Sequence, residues 1–191
     1  EKDLARFRTQ ITGLSKDTGK SSKDIAEAYY FILSSGLQGK KAFDALTAST
    51  KASAAGMGEI ATIADAVTSA LNAYGTSNLS AAKATDILLA AVREGKAEPE
   101  QFAAAIGAVI PVAQVMGVSF GEVAGMMAAL SLNGTQASEA VTQITAALSE
   151  AIKPSKQGAD ALKSIGMSYA DLRREIDQRG LQATFAALKE K

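Results

Sequence analysis

The 191-residue chain has no cysteine, histidine or tryptophan, and its twenty basic residues are balanced by twenty acidic ones. Without cysteine there is no disulfide framework and no thiol nucleophile. Without histidine the commonest metal ligand and general base is missing. Because the net charge is zero, no overall field draws the chain to nucleic acid or to an anionic membrane. These absences disfavour an enzyme and predict no catalytic, cofactor or metal site.

The charged residues that are present do not form a recognisable binding motif. Residues 97–152 contain no lysine or arginine, only glutamates. Glu98 and Glu100 are two positions apart and face different sides of a helix, and acids in a first helical turn already favour the helix dipole. The basic pairs Lys40-Lys41 and Arg173-Arg174 lack interleaved aromatic residues, so the sequence predicts no specific nucleic-acid site.

Apolar residues make up 47% of the chain and are mostly alanine and aliphatic side chains, which favours closely packed helices over strands. Helical periodicity can be followed almost from end to end, and it predicts a compact all-α bundle of about ten short to medium helices. One helix is predicted over 22–34, another over 59–73, and a third begins at Pro99 and bends or stops near Pro111. Tyr29, Tyr30 and Phe31 are consecutive, so one tyrosine is expected at the surface.

A Gly-x-Ser-x-x-acid pattern recurs between predicted helices. The glycine suits a left-handed residue after a helix, the serine accepts from the next helix's free amides, and the acid returns a bond to the serine amide. Lys20 replaces the apolar residue that supports such a cap, so the first copy is expected to be looser. The three copies are Gly19, Ser21 and Asp24; Gly117, Ser119 and Glu122; and Gly166, Ser168 and Asp171.

An internal similarity begins at the first two junctions, at a constant offset of 98 positions. It predicts two related helical hairpins that pack as pseudo-symmetric halves. The identities are Gly19, Ser21, Ala26, Gly36, Gln38, Ala42 and Thr47 with Gly117, Ser119, Ala124, Gly134, Gln136, Ala140 and Thr145.

The longest uncharged segment, 101–121, approaches membrane-spanning length. Pro111, Gln114 and the helix stop at Gly117 favour a bent core helix instead. Next to it, Gly121, Gly125 and Ala129 recur at four-residue spacing, which predicts a close helix–helix contact. The contact is either within the chain or between copies of it.

An ordered set of features extends from Leu14 to about Leu188 and is more specific than any single piece. In chain order it consists of Gly19-x-Ser21-x-x-Asp24-Ile25-Ala26, Leu33-Ser34-Ser35-Gly36-Leu37, Leu71-x-Ala73-Tyr74-Gly75, Phe102-x-x-Ala105-Ile106-x-x-Val109-x-Pro111, Met116-Gly117-Val118-Ser119, Leu130-x-x-Asn133-Gly134 and Pro154-x-x-x-Gly158-x-x-Ala161-Leu162-x-x-Ile165-Gly166. This set resembles the conserved helical core domain of phage tail tape-measure proteins, the family named after the lactococcal phage TP901.

The resemblance implies a structural virion component that takes part in tail assembly, tail-length determination and genome ejection. It implies a homo-oligomer, commonly a trimer, that contacts the tail tube protein, tail-tip or baseplate hub proteins and tail assembly chaperones. The implied location is the virion tail, inside the tube or at the tip, and the host cytoplasm during assembly. Contact with the host membrane on ejection is left open. No catalytic residue is carried over from this domain.

The resemblance also divides the chain into an upstream helix or linker, 1–14, and a core helical domain, 15–191. The absence of an initiator methionine and the charged, helix-like end indicate an excerpt from a longer protein. A continuous helix of this length would measure about 290 Å, whereas a compact domain has a radius of gyration of about 16 Å. Because helix stops recur, we expect a globular module rather than the ruler itself.

The sequence leaves two other classes of function open. The first is a membrane-active domain in which 102–132, with Glu122 as its one charge, enters a bilayer as a hairpin. The second is a cell-wall hydrolase, whose carboxylate pair could come from distant parts of the chain. Nothing in the sequence points to such a pair.

Overall fold

The computed structural model describes the backbone of residues 2–189 and the side chains of 7–181, 183, 184, 187 and 188. Within these residues every regular element is helical, so the predicted all-α class is confirmed. Residues 1, 190 and 191 of the two predicted segments lie outside the described residues. The helices are α1 Lys2–Thr18, α2 Ser22–Ser34, α3 Gly39–Ala52, α4 Ile60–Tyr74, α5 Ala81–Glu94, α6 Pro99–Ile106, α7 Ile110–Val115, α8 Phe120–Leu132, α9 Ala137–Ile152, α10 Lys156–Ser164, α11 Tyr169–Arg179 and α12 Leu181–Lys189.

The described part thus contains twelve α-helices, two more than the approximate number predicted. One reason lies near Pro111, where the predicted bend or stop is a stop before the proline. The chain leaves the helix at Gly107, and Val109 donates to the Ile106 carbonyl (3.1 Å) in a tighter turn. Pro111 then lies in the first turn of α7, where its missing amide costs nothing. Proline therefore starts a helix here instead of bending one.

Helix α4 is the centre of the bundle and packs against α2, α3, α5, α6 and α7. More than half of its residues are buried, including Ile63, Val67 and Leu71. Helices α8 and α9 extend the core beyond it, α8 against α5 and α9 against α6. Helix α1 continues past the predicted boundary at residue 14 and buries Ile11 and Leu14 near α2. The boundary itself stays a prediction.

The two hairpins that the sequence relates have equivalent helix boundaries. Helix α2 shifted by 98 positions coincides with α8 at both ends, and the starts of α3 and α9 differ by the same number. The turn glycines match as well, with φ of 94° at Gly36 and 85° at Gly134. Ala42 and Leu46 are buried, as are their counterparts Ala140 and Ile144. Local structure therefore repeats with the sequence, while a common origin stays a prediction.

A π-helical turn, Ser53–Met57, ends α3 and reverses the chain towards α4. Gly56 has φ 95°, and Gly58 has φ 105° with ψ −154°, a backbone region almost restricted to glycine. The Ser53 hydroxyl donates to the Gly58 carbonyl at 2.5 Å and closes the turn. The backbone here is therefore fixed by glycine conformations and one side-chain bond.

Ser49 lies in the core with a fully buried hydroxyl that has no hydrogen-bond partner among the described residues. A buried unpaired hydroxyl costs about 1–3 kcal/mol. We therefore expect Ser49→Ala to raise the free energy of unfolding by about 1 kcal/mol, measured by urea denaturation. Ser53→Ala, which removes a bonded hydroxyl in the following turn, is the matched control and should lower it by about 1 kcal/mol. If Ser49→Ala is as destabilising as Ser53→Ala, the unpaired assignment is wrong.

Candidate functional site

The Gly117 junction joins α7 to α8 through a complete capping box. Gly117 has φ 70°, and Val118 donates to the Ala113 carbonyl (2.9 Å), which ends α7. The Ser119 hydroxyl then accepts from the Glu122 amide (3.2 Å), while Glu122 Oε2 accepts from the Ser119 amide (3.0 Å). The reciprocal bonds satisfy the free amides at the start of α8.

The second oxygen of the Glu122 carboxylate binds another helix. Glu122 Oε1 accepts from the amide of Leu181, the first residue of α12, at 2.9 Å. One carboxylate therefore lies at the positive ends of two helix dipoles that are 59 residues apart in the chain. A Cβ on Gly180 would lie 2.9 Å from this oxygen, so a larger residue there would displace the Glu122 carboxylate.

Two further helices contact the same junction. The Tyr74 hydroxyl, at the end of α4, donates to the Val118 carbonyl at 2.8 Å. The Arg173 guanidinium, on α11, donates to the Val115 carbonyl at 3.3 Å. The junction is thus the point at which α4, α7, α8, α11 and α12 are held together by polar contacts. We call these contacts, centred on Glu122, the junction node.

Burial of Tyr74, together with the nearby charge of Glu122, raises the pKa of its phenol to about 12. A phenol that stays protonated to high pH remains a hydrogen-bond donor to Val118 across the physiological range. The arrangement therefore holds backbone groups in place at the junction.

The other two junctions differ from the node in their contacts. Ser168 and Asp171 form a capping box at the start of α11, with the Asp171 amide 3.2 Å from the Ser168 hydroxyl. At the first junction Ser21 accepts from Lys23, one residue earlier than in a capping box, and among the described contacts Asp24 returns no bond. The described hydrogen bonds do not join the Gly19 junction to the other two.

Gly121, Gly125 and Ala129 lie beside an open apolar groove of about 390 Å³ between α5 and α8. At its far end, directly after α5, the chain passes close to α8, where a Cβ on Gly95 would lie 3.2 Å from the Ala128 Cα. The Lys96 amide donates to the Ser131 hydroxyl (2.9 Å) at the same point. The predicted face thus borders an intramolecular contact, but Gly121 and Ala129 themselves stay exposed.

The apolar segment 101–121 supplies side chains to the core, and Phe102, Ile106 and Val109 are fully buried. Across the described residues, the helices are too short or too polar to cross a membrane. The same residues contain no group of three or more acidic, histidine or cysteine side chains placed to hold a metal ion.

Comparison with known proteins identifies the family. The sequence model of a protein family, described as phage-related minor tail protein, matches residues 8–191. The chain belongs to this family. The resemblance to tape-measure proteins is also confirmed, because two curated relatives are named for that role.

The first relative is the tape measure protein of Pneumococcus phage Dp-1, 30% identical over 169 residues, which are 88% of this chain and 15% of that protein. The second is the probable tape measure protein of Clostridium phage phiCD119, 30% identical over 189 residues, covering 94% of this chain and 20% of that protein. The chain therefore spans a fifth or less of the length of these relatives. No solved structure matches it.

The sequence predicted only part of the junction node. The pattern at Gly117, Ser119 and Glu122 predicted the local cap, but not the bond to Leu181 or the role of Tyr74. Tyr74 directly precedes a glycine at a predicted helix end in a chain with few aromatics. That position, a large aromatic side chain next to a helix end, was the available signal.

We expect Glu122→Ala to lower the free energy of unfolding by about 2 kcal/mol, since it leaves amides at two helix starts without their carboxylate acceptor. Asp171→Ala is the matched control, because its described bonds lie within its own capping box and helix. Chemical denaturation of both variants measures the difference. Equal losses would show that the Leu181 bond contributes nothing.

The bonds from the Ser168 hydroxyl and then from its amide hold the pKa of Asp171 below its ordinary value, with a smaller contribution from Arg174. The stability from this carboxylate is therefore present at neutral pH and is lost as the pH falls through the lowered pKa. We expect Ser168→Ala to raise the pKa of Asp171 more than Arg174→Gln does. Carboxyl carbon NMR titration tests this, and the reverse order would contradict it.

Proposed function

We propose that this chain is a globular structural module of a tape-measure protein, used in tail assembly and genome ejection, and that it is not the segment that measures tail length. The names of the two relatives support the tape-measure assignment. We assign no catalytic residue to it. Its proposed location is the virion tail, inside the tube or at the tip, with the host cytoplasm during assembly.

The observation behind the module assignment is helix length. Among the described helices the longest, α1, has 17 residues and spans about 26 Å. Ten glycines with positive φ interrupt the described chain, many of them at helix ends. A helical ruler needs a nearly constant rise per residue. A bundle packed around α4 has no such constant rise along a single axis, because its helices reverse direction.

The proposed partners follow from the tape-measure assignment. They are further copies of the same chain, arranged as a homo-oligomer such as a trimer, the tail tube protein, tail-tip or baseplate hub proteins and tail assembly chaperones. The domain division into 1–14 and 15–191 is part of this proposal. The membrane-hairpin alternative is not favoured, because 102–132 forms three packed helices whose large side chains support the core.

Tail length in assembled virions tests the module assignment. A flexible insertion of about 30 residues between Lys153 and Pro154, in the loop after α9, should leave tail length unchanged, because the bundle only gains a loop. A ruler would lengthen by roughly 45 Å at 1.5 Å per residue. In-frame deletion of 19–166 is the complementary experiment, and shortening in proportion to the residues removed would refute the assignment.

A further inference from the structure

At equivalent positions of the two hairpins, the outer face of α2 carries large side chains and that of α8 carries small ones. On α2, Tyr30 and Phe31 are 69% and 57% exposed and contact each other edge to face. Shifted by 98 positions, they correspond to Ala128 and Ala129, which line the apolar groove between α5 and α8. One hairpin thus carries an exposed aromatic pair at the positions where the other borders the apolar groove.

Both faces stay largely exposed in a single copy. An exposed aromatic pair is costly in water and is typical of the anchors of protein interfaces. The groove is bordered by Ile87 and Leu132, and the latter is 50% exposed. Helix α8 is strongly apolar all round, which is usual for a helix covered on every side.

We propose that the occupant of the α5–α8 groove is a second copy of this chain, whose α2 inserts Tyr30 and Phe31 beside Gly125. The proposal rests on the homo-oligomer in the proposed function and names its contact surface. With the two helices antiparallel, Phe31 faces Gly125, Glu27 faces Ala129, and Ser34 faces Gly121. In this register the largest side chains of α2 meet the smallest of α8.

One pair of opposite charges, Lys23 and Glu94, favours this orientation. Lys23, at the start of α2, then lies at the end of the groove that is bordered by Glu94. Lys23 and Glu94 are both well exposed, and each has a surface ion pair of its own, with Glu27 and Arg93. The α8 side of the groove carries no basic residue that would repel Lys23, because 97–152 contain none. A parallel orientation separates Lys23 from Glu94.

The two faces are different surfaces of one chain, so the contact is heterologous. Such a contact repeats from copy to copy and gives a closed ring if the rotation closes, or an open filament if it does not. It buries different residues on the two partners. A symmetric α2–α2 or α8–α8 pairing is therefore a distinct alternative.

Because the natural chain has no cysteine, introduced cysteines report the contact without background. We expect a mixture of Glu27→Cys and Ala129→Cys chains to form a mixed disulfide dimer under mild oxidation, since these positions are within disulfide reach in the antiparallel register. Ser34→Cys mixed with Ala129→Cys, which are adjacent only in a parallel register with Phe31 beside Gly125, is the matched control. A bond in the control pair alone, or only homodimers of each single variant, overturns the proposal.

Sedimentation equilibrium of the purified 191-residue chain measures the strength of the contact. We expect self-association that Tyr30→Ser with Phe31→Ser weakens about 30-fold or more, while Leu33→Ser, on a neighbouring exposed position, leaves it within about twofold. Lys23→Glu should weaken it several-fold, and adding Glu94→Lys should restore it. A chain that stays monomeric at about 1 mM overturns the proposal, and this outcome leaves the tail-length experiment unaffected.

Discussion

We expect Phe102→Ala to lower the free energy of unfolding by about 4 kcal/mol, which is among the largest effects expected of a single substitution in this chain. Phe102 is fully buried in α6, which packs against α4 and α9. Removing the ring loses its transfer free energy and leaves a cavity that the surrounding helices fill only in part. Thermal or urea denaturation with two independent probes measures the loss.

Phe31→Ala provides the matched control, because it makes the same chemical change on a side chain that is 57% exposed. Its effect on the unfolding of the dilute monomer should stay below about 0.5 kcal/mol. A loss of less than about 1 kcal/mol for Phe102→Ala would mean that α6 is not in the core, and it would revive the membrane-hairpin alternative. The pair therefore tests the fold and that alternative together.

Gly58→Ala should lower the free energy of unfolding by about 3 kcal/mol, for two separate reasons. The backbone at Gly58 has φ 105° and ψ −154°, which strains any residue with a Cβ. That Cβ would also lie 2.7 Å from the Glu100 Cβ and 3.2 Å from the Glu100 Cα, so α6 would have to move.

Two other glycines separate these contributions. Gly56 has φ 95°, but the space that a Cβ would occupy there is open, so Gly56→Ala should show strain alone, about 1–2 kcal/mol. Gly13 lies inside α1 with open space and no positive φ, and Gly13→Ala should stabilise the chain by about 0.5–1 kcal/mol. Urea denaturation of the three variants measures the differences. If all three substitutions have equal effects, the turn between α3 and α4 does not have the conformation described.

The short helices and their reversals explain why the proposed module is compact. Measuring length requires a chain that extends in proportion to its residue number, whereas this segment stops and reverses at short intervals. The turn at Gly58 and the junction node show how the reversals are fixed, by glycine conformations and by single polar side chains. In the function proposed above, such a segment is a compact module and not the part that extends along the tube axis.

The sequence determined the helical class and many of the helix ends, because both depend on local chemistry. Helix α2 was predicted at its observed ends from Ser21 and the turn at Gly36, and the boxes at Ser119 and Ser168 follow from residues three apart. The described part of the chain has twelve helices where about ten were predicted. Turns such as Gly107–Val109 and Gly180 interrupt the helices, while the spacing of apolar residues continues across them. The periodicity of apolar residues shows which side of a helix is buried. It does not show whether the backbone hydrogen bonds continue from one turn to the next.

What only the tertiary structure decided is which distant groups share a contact. The sequence predicted that Glu122 caps α8, yet its second oxygen binds Leu181, and Tyr74 reaches the same junction from α4. It also predicted the small face at Gly121, Gly125 and Ala129 without fixing its partner, which is partly α5. Capping depends on neighbours within one helical turn and is therefore encoded locally. Pairing between helices depends on how all the apolar faces are buried at once, and only the folded chain settles that.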